Sequence, residues 1–305
     1  MRKQAILLSV LLLACAAVVP MNAQVPANES VQPIQLKNGP LTMTVDVAKG
    51  GKILSFKHGD TEVISQLPWR EAFGSTFWTS PQKEWNWPPV PEFDKLPYTV
   101  EQHTDTTLII RSQRSERLKY SVAKAIRACT ADKSFVITYS IFNESDETRQ
   151  VAPWEITRVA NEGVIFFDAM VDSITPAGVL SFISAYGAAW YQTDEANDNR
   201  KINADGKGWL AWHGRDLLLV KTFQNLQPAQ SAPGEAEVQV YVNRGKTFIE
   251  LESQGAYTKL SPGERLEWTV GWHLLPAPET SQPSASLMEK VRQVVSSDFM
   301  KSEGK

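Results

Sequence analysis

Alternation with a period of two dominates this chain. The segments 98–101, 107–112, 118–127 and 134–143 follow one another with polar connections, and each places apolar side chains at about every second position. Successive strand residues point to opposite faces, so such segments bury an apolar face only by pairing edge to edge in a sheet. Four in succession without helical spacing predict an antiparallel all-β domain. Further strands are expected at 41–47, 52–56, 62–64, 150–159, 164–169 and 178–185. A hairpin of 208–212 and 217–223 follows, with His213 in its turn, and then strands at 237–242, 247–255 and 265–274. The exception is 284–301, where Leu287, Val291, Val294, Val295 and Phe299 recur at helical spacing and predict one amphipathic helix outside the sheets. The expected division is a signal peptide at 1–23, a linker at 24–31, a β domain at 32–277 and a C-terminal helix and tail at 278–305.

Met1-Arg2-Lys3, the apolar run from Ala5 to Val19 and the small residue Ala23 have the form of a secretory signal, too short for a membrane span. Cleavage after Ala23 leads to a periplasmic or secreted protein. Leu12-Leu13-Ala14-Cys15 also resembles a lipobox, but Leu13 is bulky for its slot and the apolar run continues past Cys15, so lipid anchoring is the lesser expectation. Beyond the signal, Cys129 is the single cysteine, which excludes an intrachain disulfide; it is expected to be a small buried apolar residue. A net charge of −3 without Lys/Arg clusters argues against nucleic acid. There is no Gly-rich phosphate loop, no His/Cys cluster at metal-ligand spacing and no second hydrophobic span. No cofactor, no metal and no transmembrane segment in the mature chain are therefore expected, and a monomer is. His58, His103, His213 and His273 are scattered singly.

Ten tryptophans are the compositional excess, and a flat apolar ring with one polar N–H suits both packing and the stacking of a sugar. Trp78, Trp85 and Trp87 fall in 73–89, which follows neither period, contains several prolines and predicts a long ordered loop. Either the rings plug an open end of the fold, or they form a stacking wall beside which Gln82, Lys83 or Glu84 bonds hydroxyls. A polar loop is expected at 194–207, and Lys221 faces either a ligand or solvent from a strand end. In 247–255, Ile249 and Leu251 share one face while Phe248, Glu250, Glu252 and Gln254 share the other. Composition alone makes Glu252 a solvent-facing carboxylate on an edge strand.

Leu251-Glu252-Ser253-Gln254 resembles the Leu-Glu-Thr-Gln segment of the galactose mutarotase (aldose 1-epimerase) superfamily. The strand after Ser261-Pro262-Gly263-Glu264, carrying Trp268-Thr269-Val270 and Trp272, is similar to the last strand of that fold. Gly50-Gly51-Lys52-Ile53-Leu54-Ser55-Phe56, followed by Glu62-Val63-Ile64, is similar to its opening hairpins. Ser75-Thr76-Phe77-Trp78-Thr79-Ser80-Pro81-Gln82 is similar to an exported bacterial branch that carries this block where the epimerases have an Asn-Arg pair.

The resemblance implies a large two-sheet antiparallel β-sandwich with an open concave face that takes a sugar or oligosaccharide. It implies Glu252 as general base, removing the proton of the anomeric hydroxyl while an acid protonates the ring oxygen. In the epimerases that acid is a histidine; here its slot falls near Trp154-Glu155, and no histidine lies between His103 and His213. Glu155 either donates the proton, its carboxyl kept neutral beside Trp154, or pairs with Arg158 or another cation. Arg158 either binds a sugar or uronate carboxylate or pairs internally. Trp154 and Gln254 join Trp78, Gln82 and Trp85 as expected substrate-binding residues. The implied activity is an aldose epimerase-type isomerisation; the alternative is non-catalytic glycan binding as an accessory domain in polysaccharide breakdown.

Overall fold

The structure, a computed structural model, describes residues 32–303, with side chains to residue 298. The expected signal peptide, the linker and Cys15 lie outside the described residues. Two ten-stranded antiparallel sheets make up the described body. The first runs Ile34–Asn38, Leu41–Asp46, Lys52–His58, Ser75–Ser80, Arg149–Val159, Ile249–Gln254, Val238–Val242 and Arg200–Ala204, with two short strands attached at its side. The second runs Phe182–Ala185, Ala188–Gln192, Val164–Phe167, Trp209–Gly214, Leu217–Thr222, Arg265–Pro276, Ser134–Asn143, Tyr120–Cys129, Thr107–Arg111 and Thr99–His103. Sequence neighbours pair through tight turns, as alternating segments joined by short polar connections require.

The two sheets bury their facing sides against each other. Phe77 of the first stacks on Tyr139 of the second with ring centroids 4.3 Å apart, and Phe56 meets Trp272 edge-on at 5.5 Å. Ala285–Glu303 is the expected C-terminal helix, with Leu287 and Val291 buried and the Leu217–Thr222 strand beside it. No described helix is long and apolar enough to cross a membrane.

The structure differs from expectation at several elements. Residues 75–80 are not loop but a strand in the middle of the first sheet, buried at all six positions. Both of its faces are covered, so the apolar-polar alternation that marks a half-exposed strand is missing. Two of its hydroxyls are satisfied internally, Ser75 by Thr157 and Ser80 by Gln254, while those of Thr76 and Thr79 are buried without a partner among the described residues. The 194–207 stretch contains the edge strand Arg200–Ala204, which alternates only weakly. His213 lies in a strand, fully buried and bonded to the Ala277 carbonyl, not in the hairpin turn. Cys129 is half-buried rather than buried.

Candidate functional site

Residues directly opposite in an antiparallel ladder share a face, so register alone assembles a site on the first sheet. One row crosses four strands as Arg158, Glu250, Tyr241 and Lys201. The next holds Ile156, Glu252, Gln239 and Asn203, and a third holds Trp78, Trp154 and Gln254. The intervening positions, including Phe77, Glu155 and Leu251, point into the core between the sheets, since Phe77 stacks on Tyr139 and Glu155 meets Lys221. On the other face opens a hollow of about 610 Å³. Trp78, Trp154, Arg158, Lys201, Tyr241, Glu250 and Glu252 line it from the sheet, and Trp69, Gln82, Trp87, Asp94, Arg244 and Phe248 from the surrounding segments.

Glu252 is 1% exposed and its strand has two further strands between it and the sheet edge, so it is neither solvent-facing nor at an edge. One carboxylate oxygen accepts from Trp154 Nε1 at 2.9 Å and from Lys201 Nζ at 2.9 Å. The other oxygen is buried without a partner among the described residues. Burial disfavours the charged form and pushes this carboxyl up to about 7; Lys201 opposes the shift and Glu250 adds to it. Lys201 reaches across the Trp154 ring, 4.8 Å from its centroid. Arg158 is paired with Glu250 at 2.8 Å and donates to the Phe73 carbonyl, which realises the internal alternative for that residue. Trp78 is oriented by its indole N–H, which donates to Asp94 at 3.0 Å, and Asp94 is in turn paired with buried Lys52 at 3.1 Å.

The sequence-derived residues separate into two groups. Glu252, Trp78, Trp154, Arg158 and Gln82 converge on the hollow. Glu155 does not: its side chain is fully buried between the sheets, 2.9 Å from Lys221, which also donates to Thr157. The expectation that Glu155 donates a proton to a ligand is corrected accordingly, because strand alternation turns it away from the face that carries Trp154. Lys221 likewise faces neither ligand nor solvent. Trp85 is buried behind Trp78 and Trp154, its N–H on the Thr79 carbonyl, so it is the plug, whereas Trp78 and the exposed Trp87 are wall. Gln254 is covered, bonded to Ser80, Glu235 and Gln239.

Lys201, Tyr241, Trp69 and Arg244 were not anticipated. Lys201 and Asn203 flank Ile202 at strand period, and that three-residue alternation was the available signal within an otherwise polar stretch. Among the described residues, Asp132, His273 and Asp298 place metal-type donor atoms within 4.8 Å of one another. This group is outside the lining of the hollow, and its His273 is hydrogen-bonded to Asp298 at 2.7 Å.

No family model and no curated protein sequence matches the chain. Solved structures do. A putative aldose 1-epimerase from Escherichia coli K12 superposes with a TM-score of 0.55 over 80% of this chain and 99% of its own, at 13% identity. A galactose mutarotase-like protein from Lactobacillus casei gives 0.54 over 80% and 100%, at 11% identity. A putative mutarotase from Salmonella typhimurium gives 0.51 over 80% and 90%, at 13% identity. The chain therefore has the galactose mutarotase-like sandwich fold.

Proposed function

We propose that this chain is an exported carbohydrate-binding protein that takes a sugar in the hollow of the first sheet, with Glu252 as general base in an aldose epimerase-type isomerisation. One observation carries the reading: Glu252 is a buried carboxyl at the floor of a hollow walled by Trp78, Trp87 and Trp154, with one oxygen that has no partner among the described residues. Aromatic walls suit the apolar faces of a pyranose. A carboxyl whose proton affinity lies near neutrality suits both uptake and return of the anomeric proton, because general catalysis is most efficient when the group's pKa is close to the working pH. Lys201, 2.9 Å from Glu252, is the cation nearest that carboxyl and the candidate proton donor to the ring oxygen. Export rests on the signal-like residues 1–23.

A second reading has its own support. His213 and His273 are not among the residues that line the hollow, and Glu252 is already engaged by Trp154 and Lys201, which suits a glycan-binding module as well as an isomerase. Polarimetry of freshly dissolved α-sugars with wild type and Glu252→Gln separates the two. Faster mutarotation with wild type, falling to background in the variant, supports isomerisation. Background rates with both, alongside measurable sugar binding, support the binding module, and absence of both activity and binding overturns the proposal.

A further inference from the structure

Charge is unevenly matched along the hollow. Toward its floor each cation has an acid: Lys201 meets Glu252 at 2.9 Å and Arg158 meets Glu250 at 2.8 Å. Lys95 pairs with Glu71, and Asp94 is held from beneath by Lys52. At one side of the mouth this balance ends. Arg244 lies just past the Val238–Val242 strand with its guanidinium 5.3 Å from the Trp69 ring centroid. Arg70 follows Trp69 with a backbone φ of 56°, in the left-handed region that a residue with a Cβ rarely adopts. Both arginines line the hollow. Among the described residues neither has a carboxylate within ion-pair distance, whereas every other charged residue of the lining has a partner of opposite charge.

The lip is built rather than incidental. Trp69 and Ala72 exchange backbone hydrogen bonds of 3.1 and 3.0 Å, which closes the turn that carries Arg70. Gly245 backs onto the Trp69 ring, so the turn after Arg244 packs against the same indole. The hollow's surplus of positive charge is therefore concentrated on two arginines at one tryptophan, Arg244 over the Trp69 ring and Arg70 next to it in the chain. A guanidinium presents planar paired N–H donors suited to carboxylate, phosphate and sulfate oxygens.

Position along the sheet says which part of a ligand would meet them. Glu252 is four residues from Phe248, whose carbonyl accepts from the Asn243 N–H at the level of this lip. At ~3.4 Å per residue the separation is roughly 14 Å. The arginines thus face a substituent remote from a carbon held over Glu252.

Resting on the sugar reading above, we infer that the ligand is an anionic saccharide, whose carboxylate, phosphate or sulfate is held between Arg70 and Arg244 while a ring lies over Glu252. Isothermal titration calorimetry with D-galactose, D-galacturonate, D-galactose 6-phosphate and D-galactose 6-sulfate tests this on wild type and on the Arg70→Gln/Arg244→Gln double variant. Both positions are exposed, and a thermal melt confirms that the variant is folded. At least one anionic sugar is expected to bind about tenfold or more tighter than galactose, as a charge-assisted contact allows. That advantage over galactose should disappear in the double variant and shrink at high salt; which anion gains identifies the group. Equal affinities in wild type, or an advantage that survives the double variant, overturns the inference while leaving sugar binding intact. Failure of all four sugars to bind overturns both.

Discussion

Replacing Glu155 by leucine isolates Lys221 between the sheets. The pair is fully buried at 2.9 Å, and the ammonium also meets the Thr157 hydroxyl and the face of Trp272. Removing one member of a buried ion pair costs about 3–5 kcal/mol, because the other charge has left water without compensation. At roughly 2–4 °C per kcal/mol for a chain of this size, Glu155→Leu should lower the melting temperature by about 6–20 °C in scanning calorimetry. Burial already holds the Lys221 amine below its ordinary value, and losing Glu155 lowers it further, so the deficit should narrow as pH rises and the lysine is neutralised. Glu155→Leu with Lys221→Met removes both charges and should recover most of the loss. Since neither residue lines the hollow, the double variant should bind ligand like wild type. A single variant that melts like wild type yet loses ligand binding or activity would refute the placement of Glu155 in the core.

Three further outcomes follow from the geometry. Glu252 holds its proton more tightly when folded, up to about 7 against 4.5, so its stabilising contribution is full below about 4.5 and is lost as pH rises through 7. Wild type should therefore lose stability relative to Glu252→Gln between pH 5 and pH 8, by at most ~1.4 kcal/mol per unit; parallel profiles would contradict this. Trp85→Ala should cost about 3–5 kcal/mol of stability, whereas Trp87→Ala should change stability by less than ~0.5 kcal/mol and weaken ligand binding; the reverse ranking would mean that plug and wall are misassigned. Lys201→Met removes the cation that opposes burial at Glu252, so the carboxyl should titrate at higher pH by NMR, and an unshifted titration argues that the 2.9 Å contact is not formed.

How much was legible in the sequence depended on how each strand is solvated. Strands with one wet edge or one regular apolar face, such as Thr107–Arg111 and Arg265–Pro276, announce themselves by alternation. Ser75–Ser80 does not, because it is buried on both sides and fills them with rings and with hydroxyls, of which those of Ser75 and Ser80 bond internally. The Arg200–Ala204 strand is hidden by facing a polar hollow, so Lys201 and Asn203 read as loop residues. Glu252 was identifiable through its motif, and its alternation partner Glu250 came with it. Face assignment on the neighbouring strand was the harder step. Trp154 and Glu155 are adjacent in sequence and point to opposite sides of one sheet, and only pairing with Gln254 and Ser253 decides which side is the hollow. Arg244 and Trp69 meet across a large sequence distance, which no local pattern encodes.

A crystal structure of Glu252→Gln soaked with a bound α-sugar tests the central assignment most directly. The anomeric hydroxyl should lie within hydrogen-bond reach of residue 252, with the ring against Trp78, Trp87 or Trp154. A sugar held elsewhere on the surface, with the hollow of the first sheet left to solvent at saturating concentration, would contradict it.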